Sequence, residues 1–199
     1  MAYAAPRHYL HPLLSPDGIA LVGATEREGA LGRIVWRNLV EARPHGPLYP
    51  VNPKHAAVFG RKAYARLAEL PAPVDLAVVV TPARTVPQII REAGAAGIRG
   101  AVVLTSGFAE TGAAGRKLQD ELLAAAREAG VRVLGPNCIG VMRTDAGLNA
   151  TFARGNAFAG PLALVSQSGA ICGAILDWAT RAGIGFTSVV SSSHRIGRG

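Results

Sequence analysis

The residues best placed to do chemistry form a glycine-punctuated stretch near the start of the chain. Residues 19–22 are apolar without alternation, as in a strand buried on both faces, and Gly23 follows where the backbone must turn. A helical pattern begins after Gly32, so the unpaired N–H groups of that helix would point back at the turn. Because such helix starts bind anions, the stretch predicts a phosphate-binding turn in preference to a purely structural one.

A lysine stands where a second strand should end. Residues 47–54 read PLYPVNPK, a short extended segment whose prolines are typical of an edge strand. A dinucleotide-binding domain would carry Gly-x-Gly-x-x-Gly and, about twenty residues later, an acid for the ribose hydroxyls. Here Gly23, Gly29 and Gly32 are spaced more widely and Lys54 replaces the acid. The pattern favours a phosphorylated ligand over NAD, and an NAD(P)-binding oxidoreductase domain stays open as the alternative.

Strands and helices alternate over residues 19–145 in a way that would bring such turns together. Further apolar strands are predicted at 75–80, 100–104 and 131–134, and helices at 85–97 and 113–129. Short connections between alternating elements predict an α/β domain with a doubly wound, Rossmann-like parallel sheet. Its ligand should lie beyond the carboxyl ends of the strands, where the turns at 23–32, 105–107 and 135–140 would collect.

The rest of the chain predicts a second, incomplete unit. Residues 1–18 suggest an N-terminal arm, 141–160 a loop with one extended piece near 148–152, and 191–199 a basic tail. Residues 160–190 suggest a single βαβ unit, with strands at 161–165 and 186–190 around a helix at 171–181. That helix carries an apolar stripe, which must pack on the first domain or favour homo-oligomers: Ile171, Ile175, Leu176 and Trp178.

Composition narrows the function classes. The chain has 199 residues, of which 49% are hydrophobic and 17% charged, and a net charge of +8. Its arginines are scattered and aromatic residues make up only 6%, which argues against a nucleic-acid partner. No apolar run is long enough to cross a membrane, and no signal peptide is evident. Cys138 and Cys172 form no disulfide framework, so we expect a cytoplasmic protein.

No metal site is predicted from the sequence. His8 and His11 lie three residues apart, but no further ligand lies near them in the sequence. The two cysteines have no partner at a metal-ligand spacing either.

Five ordered motifs carry a resemblance to a known family. They are residues 20–32 (ALVGATEREGALG), 49–54 (YPVNPK), 73–77 (PVDLA), 134–140 (LGPNCIG) and 164–170 (LVSQSGA). Together they resemble the CoA-binding half of nucleoside-diphosphate-forming acyl-CoA synthetases, over residues 13–190. This family includes the succinyl-CoA synthetase alpha subunit, ADP-forming acetyl-CoA synthetase and bacterial protein lysine acetyltransferases. The resemblance implies a Rossmann-like CoA-binding domain followed by the start of a flavodoxin-like, succinyl-CoA-synthetase-like domain.

The resemblance also implies a site for CoA or an acyl-CoA thioester. In it the loop after the first strand wraps the nucleotide, Lys54 contacts phosphates, Thr105 to Gly107 follow the pantetheine arm, and Asn137 and Cys138 lie near the thiol. Glu28 departs from the family pattern, where proline is common, and should point to solvent. The full candidate set is Gly23, Thr25, Glu26, Arg27, Glu28, Gly29, Gly32, Asn52, Pro53, Lys54, Thr81, Pro82, Thr105, Ser106, Gly107, Asn137 and Cys138.

A phosphoryl-binding remnant is implied at Ser166, Ser168 and Gly169. They correspond to a helix start that, in the family, holds the phosphoryl group of a catalytic histidine. That histidine and the nucleotide-binding ATP-grasp part are not found in this sequence, and His194 lacks the expected small-residue setting. We therefore predict no catalytic residue, and a CoA-binding module that works with an ATP-grasp subunit or domain. A stand-alone acyl-CoA-sensing or assembly module is a further alternative.

The residues alone also support simpler roles for some of these positions. The two serines could be the N-cap of the following helix. Cys138 is better interpreted as a small buried residue than as a nucleophile, because no base is evident beside it. Asn137 could bind ligand or cap the next segment.

Overall fold

Five parallel strands form the first sheet. The structure, a computed structural model, describes residues 8–192. Numbered in chain order, the strands of this sheet are β1 (Ile19–Val22), β2 (Leu48–Val51), β5 (Leu76–Val79), β6 (Gly100–Val103) and β7 (Arg132–Leu134). They lie in the order β2-β1-β5-β6-β7, and β1, β5 and β6 are buried throughout. This doubly wound α/β fold confirms the predicted fold class.

Helices cover both faces of this sheet. They are α1 (His11–Leu14), α2 (Leu31–Ala42), α3 (Val86–Ala95) and α4 (Ala113–Ala129), and α5 (Gly169–Ala182) follows in the second unit. Helix α2 packs Val35 and Leu39 against β1 on one face, whereas α3 and α4 bury Ile90 and Leu122 on the other. None of the helices among residues 8–192 has the length and apolarity that crossing a bilayer requires.

The predicted N-terminal arm contains α1 within its described part. Leu13 is buried in the core beside α2, and Pro12 lies against the backbone of Gly100 at the start of β6. Residues 1–7 of the arm lie outside the described residues. So do residues 193–199 of the predicted tail, with His194.

A second sheet joins strands from both sides of the predicted domain boundary. It contains β8 (Gly140–Arg143), β9 (Leu148–Thr151), β10 (Ala159–Ser166) and β11 (Phe186–Ser191), in the order β10-β11-β8-β9. Strands β10 and β11 are parallel, and the other pairs are antiparallel. The prediction of a loop over residues 141–160 was therefore wrong where β8 forms. The extended piece predicted near 148–152 is confirmed as β9. The tail predicted from 191 was also wrong at its start, because the Ser192 N–H donates to the Ser166 carbonyl oxygen at 3.0 Å.

Helix α2 lies between the two sheets. The Nδ2 of Asn38 donates to the carbonyl oxygens of Thr151 and Ala153, both at 2.9 Å, at the end of β9. Val141 and Ala150 of the second sheet belong to the same buried core as α2. The two units are thus joined by a shared core and by a buried side-chain amide.

Helix α5 covers the opposite face of the second sheet. Cys172 and Leu176 pack against Met142 and Phe186. The apolar stripe predicted for this helix is only partly covered, since Leu176 is buried while Ile171 and Trp178 are 53% and 55% exposed. The helix therefore packs on the second sheet and leaves two large apolar side chains in solvent.

Removal of the Asn38 amide should destabilise the fold. In Asn38→Ala the carbonyl oxygens of Thr151 and Ala153 lose a buried donor, which should cost roughly 2 kcal/mol of unfolding free energy. Urea denaturation measures this cost, with Arg37→Ala as the control because Arg37 is exposed on the same helix. Equal stability of the two variants would show that this amide contributes little to the joining of the sheets.

Candidate functional site

The loops that follow the parallel strands meet at one edge of the first sheet. The chain passes from β1 to β2 on one side and then to β5 on the other, so the strand order reverses beside β1. Ligands of doubly wound sheets bind outside the carboxyl ends of the strands at such a reversal. The sequence-predicted residues from Gly23 to Cys138 lie in these loops or, for Gly32, in the first turn of α2.

The turn after β1 brings the start of α2 against the end of the strand. Gly23 has φ +100°, and a Cβ on Gly32 would lie 2.1 Å from the Gly23 carbonyl oxygen. The N-cap residue Ala30 offers no side-chain acceptor. Among the described residues nothing accepts from the N–H groups of Leu31 and Gly32. These free donors at a helix start can bind an anion.

The second loop is attached to the first by Asn52. Its Nδ2 donates to the Ala24 carbonyl oxygen at 2.8 Å, and its Oδ1 accepts from the Lys54 N–H at 2.9 Å. Pro53 and Lys54 are exposed beside this attachment. The sequence Asn-Pro-Lys therefore presents a lysine from a backbone that is held next to the glycine-containing turn.

The loops after β5, β6 and β7 are linked through two threonines. The Thr105 hydroxyl donates to the Thr81 carbonyl oxygen at 2.7 Å, and the Thr105 carbonyl oxygen accepts from the Asn137 N–H at 2.9 Å. The N–H of Gly107 donates to Glu110 Oε1 at 2.6 Å. Pro82 and Ser106 are exposed at the same edge. Much of the polar capacity of Thr105 is thus used in holding neighbouring loops together.

A cleft of about 820 Å³ separates these loops from the start of α5. Residues 136–139 form one wall, Phe152 lies in another, and Gly169 and Ala170 contribute the helix end. The structure therefore brings residues predicted for the thiol end of CoA and for a phosphoryl group to a single cleft.

Cys138 is buried in the wall of this cleft. Its side chain is 4% exposed, and its Sγ contacts the Val103 carbonyl oxygen at 3.5 Å. Burial raises the pKa of the thiol from 9.0 to about 12. The thiol is protonated at neutral pH, which agrees with its interpretation as a small buried residue and not a nucleophile.

Ser168 is the N-cap of α5, as the simpler interpretation predicts. Its Oγ accepts from the Ile171 N–H at 3.3 Å, while its own N–H donates to the Ser166 Oγ at 3.1 Å. Ser166 is the last residue of β10 and not part of the cap. The hydroxyl groups of both serines therefore have structural partners.

Two features of the structure could not be seen in the sequence. The first is a hairpin of β3 (Ala57–Val58) and β4 (Arg61–Lys62), whose Phe59 N–H donates to Glu26 Oε1. Its Phe59–Gly60 turn gives only a weak signal, because such turns favour Asn-Gly. The second is a group of metal-ligand types, with candidate atoms within 4.8 Å of one another, in His11, Asp17 and Asp75. Their separation in the chain hides this group, which lies where β1 and β5 begin.

The fold and the site together define a doubly wound α/β domain whose first strand ends in a glycine-containing turn, beside free N–H groups at the start of α2. Residues 17–144 match the family model described as "CoA binding domain", and the chain belongs to this family. Residues 159–197 match a second model, "Succinyl-CoA ligase like flavodoxin domain". The second match includes most of the segment 191–199, which the motifs left unmatched.

Similar proteins are longer than this chain. The chain is 41% identical over 190 residues to the alpha subunit of acetate–CoA ligase [ADP-forming] I of Pyrococcus furiosus. The matched region includes 94% of this chain and 41% of that protein. It is 40% identical to acetate–CoA ligase [ADP-forming] I of Archaeoglobus fulgidus, in a match that includes 92% of this chain and 26% of the relative. The apo structure of dinucleotide forming acetyl-coenzyme A synthetase 1 from Ca. Korarchaeum cryptofilum superposes with a TM-score of 0.89 at 37% sequence identity. The superposition covers 96% of this chain and 41% of that structure's chain.

A methyl group at position 32 should disrupt the turn. In Gly32→Ala the new Cβ would meet the Gly23 carbonyl oxygen, so α2 must move, and we expect a loss of about 1–3 kcal/mol of stability. The matched control is Gly173→Ala, which meets no atom within 4 Å in the middle of α5 and should stabilise by up to about 1 kcal/mol. Thermal denaturation compares them, and equal melting temperatures would contradict the close approach.

Alkylation should report the protonated state of Cys138. With a pKa of about 12 only about one thiol in ten thousand is ionised at pH 8, so iodoacetamide should label the native protein slowly. The rate should rise with pH towards 12, and denaturant should make both buried cysteines react fully. Peptide mass spectrometry identifies the labelled residue. Fast labelling of native Cys138 at pH 8 would mean that its thiol is neither buried nor raised in pKa.

Proposed function

We propose that the chain binds CoA or an acyl-CoA thioester as the CoA-binding part of an ADP-forming acyl-CoA synthetase. The observation that carries this proposal is the match of residues 17–144 to the CoA-binding family. In the structure the matched residues form a sheet edge that has free N–H donors at the start of a helix. An NAD(P)-binding oxidoreductase is less well supported, because Lys54 is held where an acid would bind the ribose.

The loops suggest how the ligand would lie. The diphosphate would accept from the free N–H groups at the start of α2, and the exposed cations Arg27 and Lys54 would offset its charge. The pantetheine arm would follow the loop from Thr105 to Gly107. The thiol would then enter the 820 Å³ cleft beside Asn137.

The same cleft supports a role in ligase chemistry. An ADP-forming ligase joins a carboxylic acid to the CoA thiol while ATP is split to ADP and phosphate. At the start of α5, nothing in the described chain accepts from the N–H groups of Gly169 and Ala170, which could bind a phosphoryl group. The nucleotide step would be carried out by an ATP-grasp subunit or domain.

The partners and the compartment follow from the same proposal. Exposed Ile171 and Trp178 provide an apolar surface for self-association or for the ATP-grasp partner. The described part of the chain has two free cysteines, and this supports a reducing, cytoplasmic location.

Calorimetric titration of the full chain with CoA tests the proposal, with NAD as the comparison ligand. Lys54→Ala should weaken CoA binding by about tenfold, because one charge-assisted phosphate contact is lost. Lys117→Ala is the matched control, since Lys117 is an exposed lysine of α4 that is not one of the candidate site residues. A folded protein that binds NAD but not CoA would overturn the proposal, and equal affinities of the two lysine variants would remove Lys54 from the site.

A further inference from the structure

The side chain and the backbone carbonyl of Glu26 both accept hydrogen bonds from other parts of the protein. One carboxylate oxygen, Oε1, accepts from the Phe59 N–H at 2.5 Å at the tip of the β3–β4 hairpin. The backbone carbonyl oxygen accepts from the Arg33 guanidinium at 2.8 Å in the first turns of α2. Glu26 thus connects the loop after β1 to two other elements.

The hairpin tip that meets Glu26 is held in place by aromatic and cationic contacts. Phe59 and Gly60 have φ +49° and +71°, the left-handed conformations of a two-residue turn, which a phenylalanine adopts only at a cost. The Phe59 ring stacks on Trp36 with 6.3 Å between centroids and 7° between planes. The Arg33 guanidinium lies 5.9 Å from the Phe59 centroid. These contacts anchor the hairpin on α2, so the Phe59 N–H is a fixed donor.

The loop itself has few other attachments. Residues 26–29 are exposed, and a Cβ on Gly29 would meet no atom within 4 Å. Within the loop the Thr25 hydroxyl accepts from the Arg27 N–H at 3.3 Å, and the Arg27 carbonyl oxygen accepts from Ala30. The side chain of Glu26 therefore supplies a main connection between the exposed part of this loop and the rest of the protein.

We propose that Glu26 is a positioning residue for the CoA-binding loop, and that its carboxylate acts through the Phe59 N–H without touching the ligand. The proposal rests on the proposed function and assigns this residue a different role from direct nucleotide contact. A carboxylate facing a diphosphate would repel it, whereas the hydrogen bond to the hairpin orients the Glu26 carboxylate towards the Phe59 N–H. The loop is then held in the shape in which Arg27 and the free N–H groups at the start of α2 can face the anion.

Two substitutions separate positioning from contact. Glu26→Gln keeps an oxygen that accepts from the Phe59 N–H, whereas Glu26→Ala removes it. Calorimetry with CoA should show an affinity about tenfold weaker for Glu26→Ala and within about twofold of wild type for Glu26→Gln. Arg37→Ala is the control, because Arg37 lies one turn further along α2 than Arg33 and pairs with Glu41. Amide hydrogen exchange of Phe59, measured without ligand, should accelerate in Glu26→Ala only.

Three results of these measurements would overturn the proposal. Equal weakening by Gln and Ala would show that the charge itself contacts the ligand, and tighter binding by both would show that Glu26 repels it; either result overturns the proposal. Unchanged affinity and unchanged Phe59 exchange in Glu26→Ala would overturn it as well. A wild-type chain that does not bind CoA would refute the proposed function, while the exchange of Phe59 would still show whether Glu26 accepts a hydrogen bond from the Phe59 N–H.

Discussion

The close contact between Gly32 and the Gly23 carbonyl oxygen is the constraint on which the rest of the structure depends. It admits no side chain, so α2 begins directly against the end of β1 and its free N–H groups face the strand edge. The same helix then passes between the two sheets, where Asn38 holds the end of β9. A single helix therefore presents the free N–H donors of the candidate site and also fixes the second sheet relative to the first.

The central elements could be predicted because their burial leaves a clear pattern. Strands buried on both faces give continuous apolar runs, and α4 was predicted with its observed bounds because Gly112 and Gly130 flank it. Strand β8 was missed because Val141 and Met142 face two different cores, so both are apolar and no alternation appears. The partner of Glu26 was equally hidden, since Phe59 lies 33 positions away and belongs to a turn with an atypical residue.

The candidate loops were located by motif, but their internal chemistry depended on the fold. Thr105 and Asn52 were predicted to contact a ligand, and the structure shows their side chains hydrogen-bonded to neighbouring loops. Cys138 lines the cleft in which the CoA thiol is proposed to lie, yet burial keeps its own pKa near 12. In the proposed complex the protein thiol would not compete with CoA for an acyl group, because it is not ionised.

The order of the second sheet determines the direction in which that sheet can be extended. At one end β9 is buried against α2, so no strand can be added there. At the other end β10 pairs, within residues 8–192, with β11 alone, and Val165 in it is 71% exposed. Any further strand, from this chain or from another, would have to add beside β10 and so enlarge the sheet away from the first domain. Such growth would leave the packing around α2 unchanged.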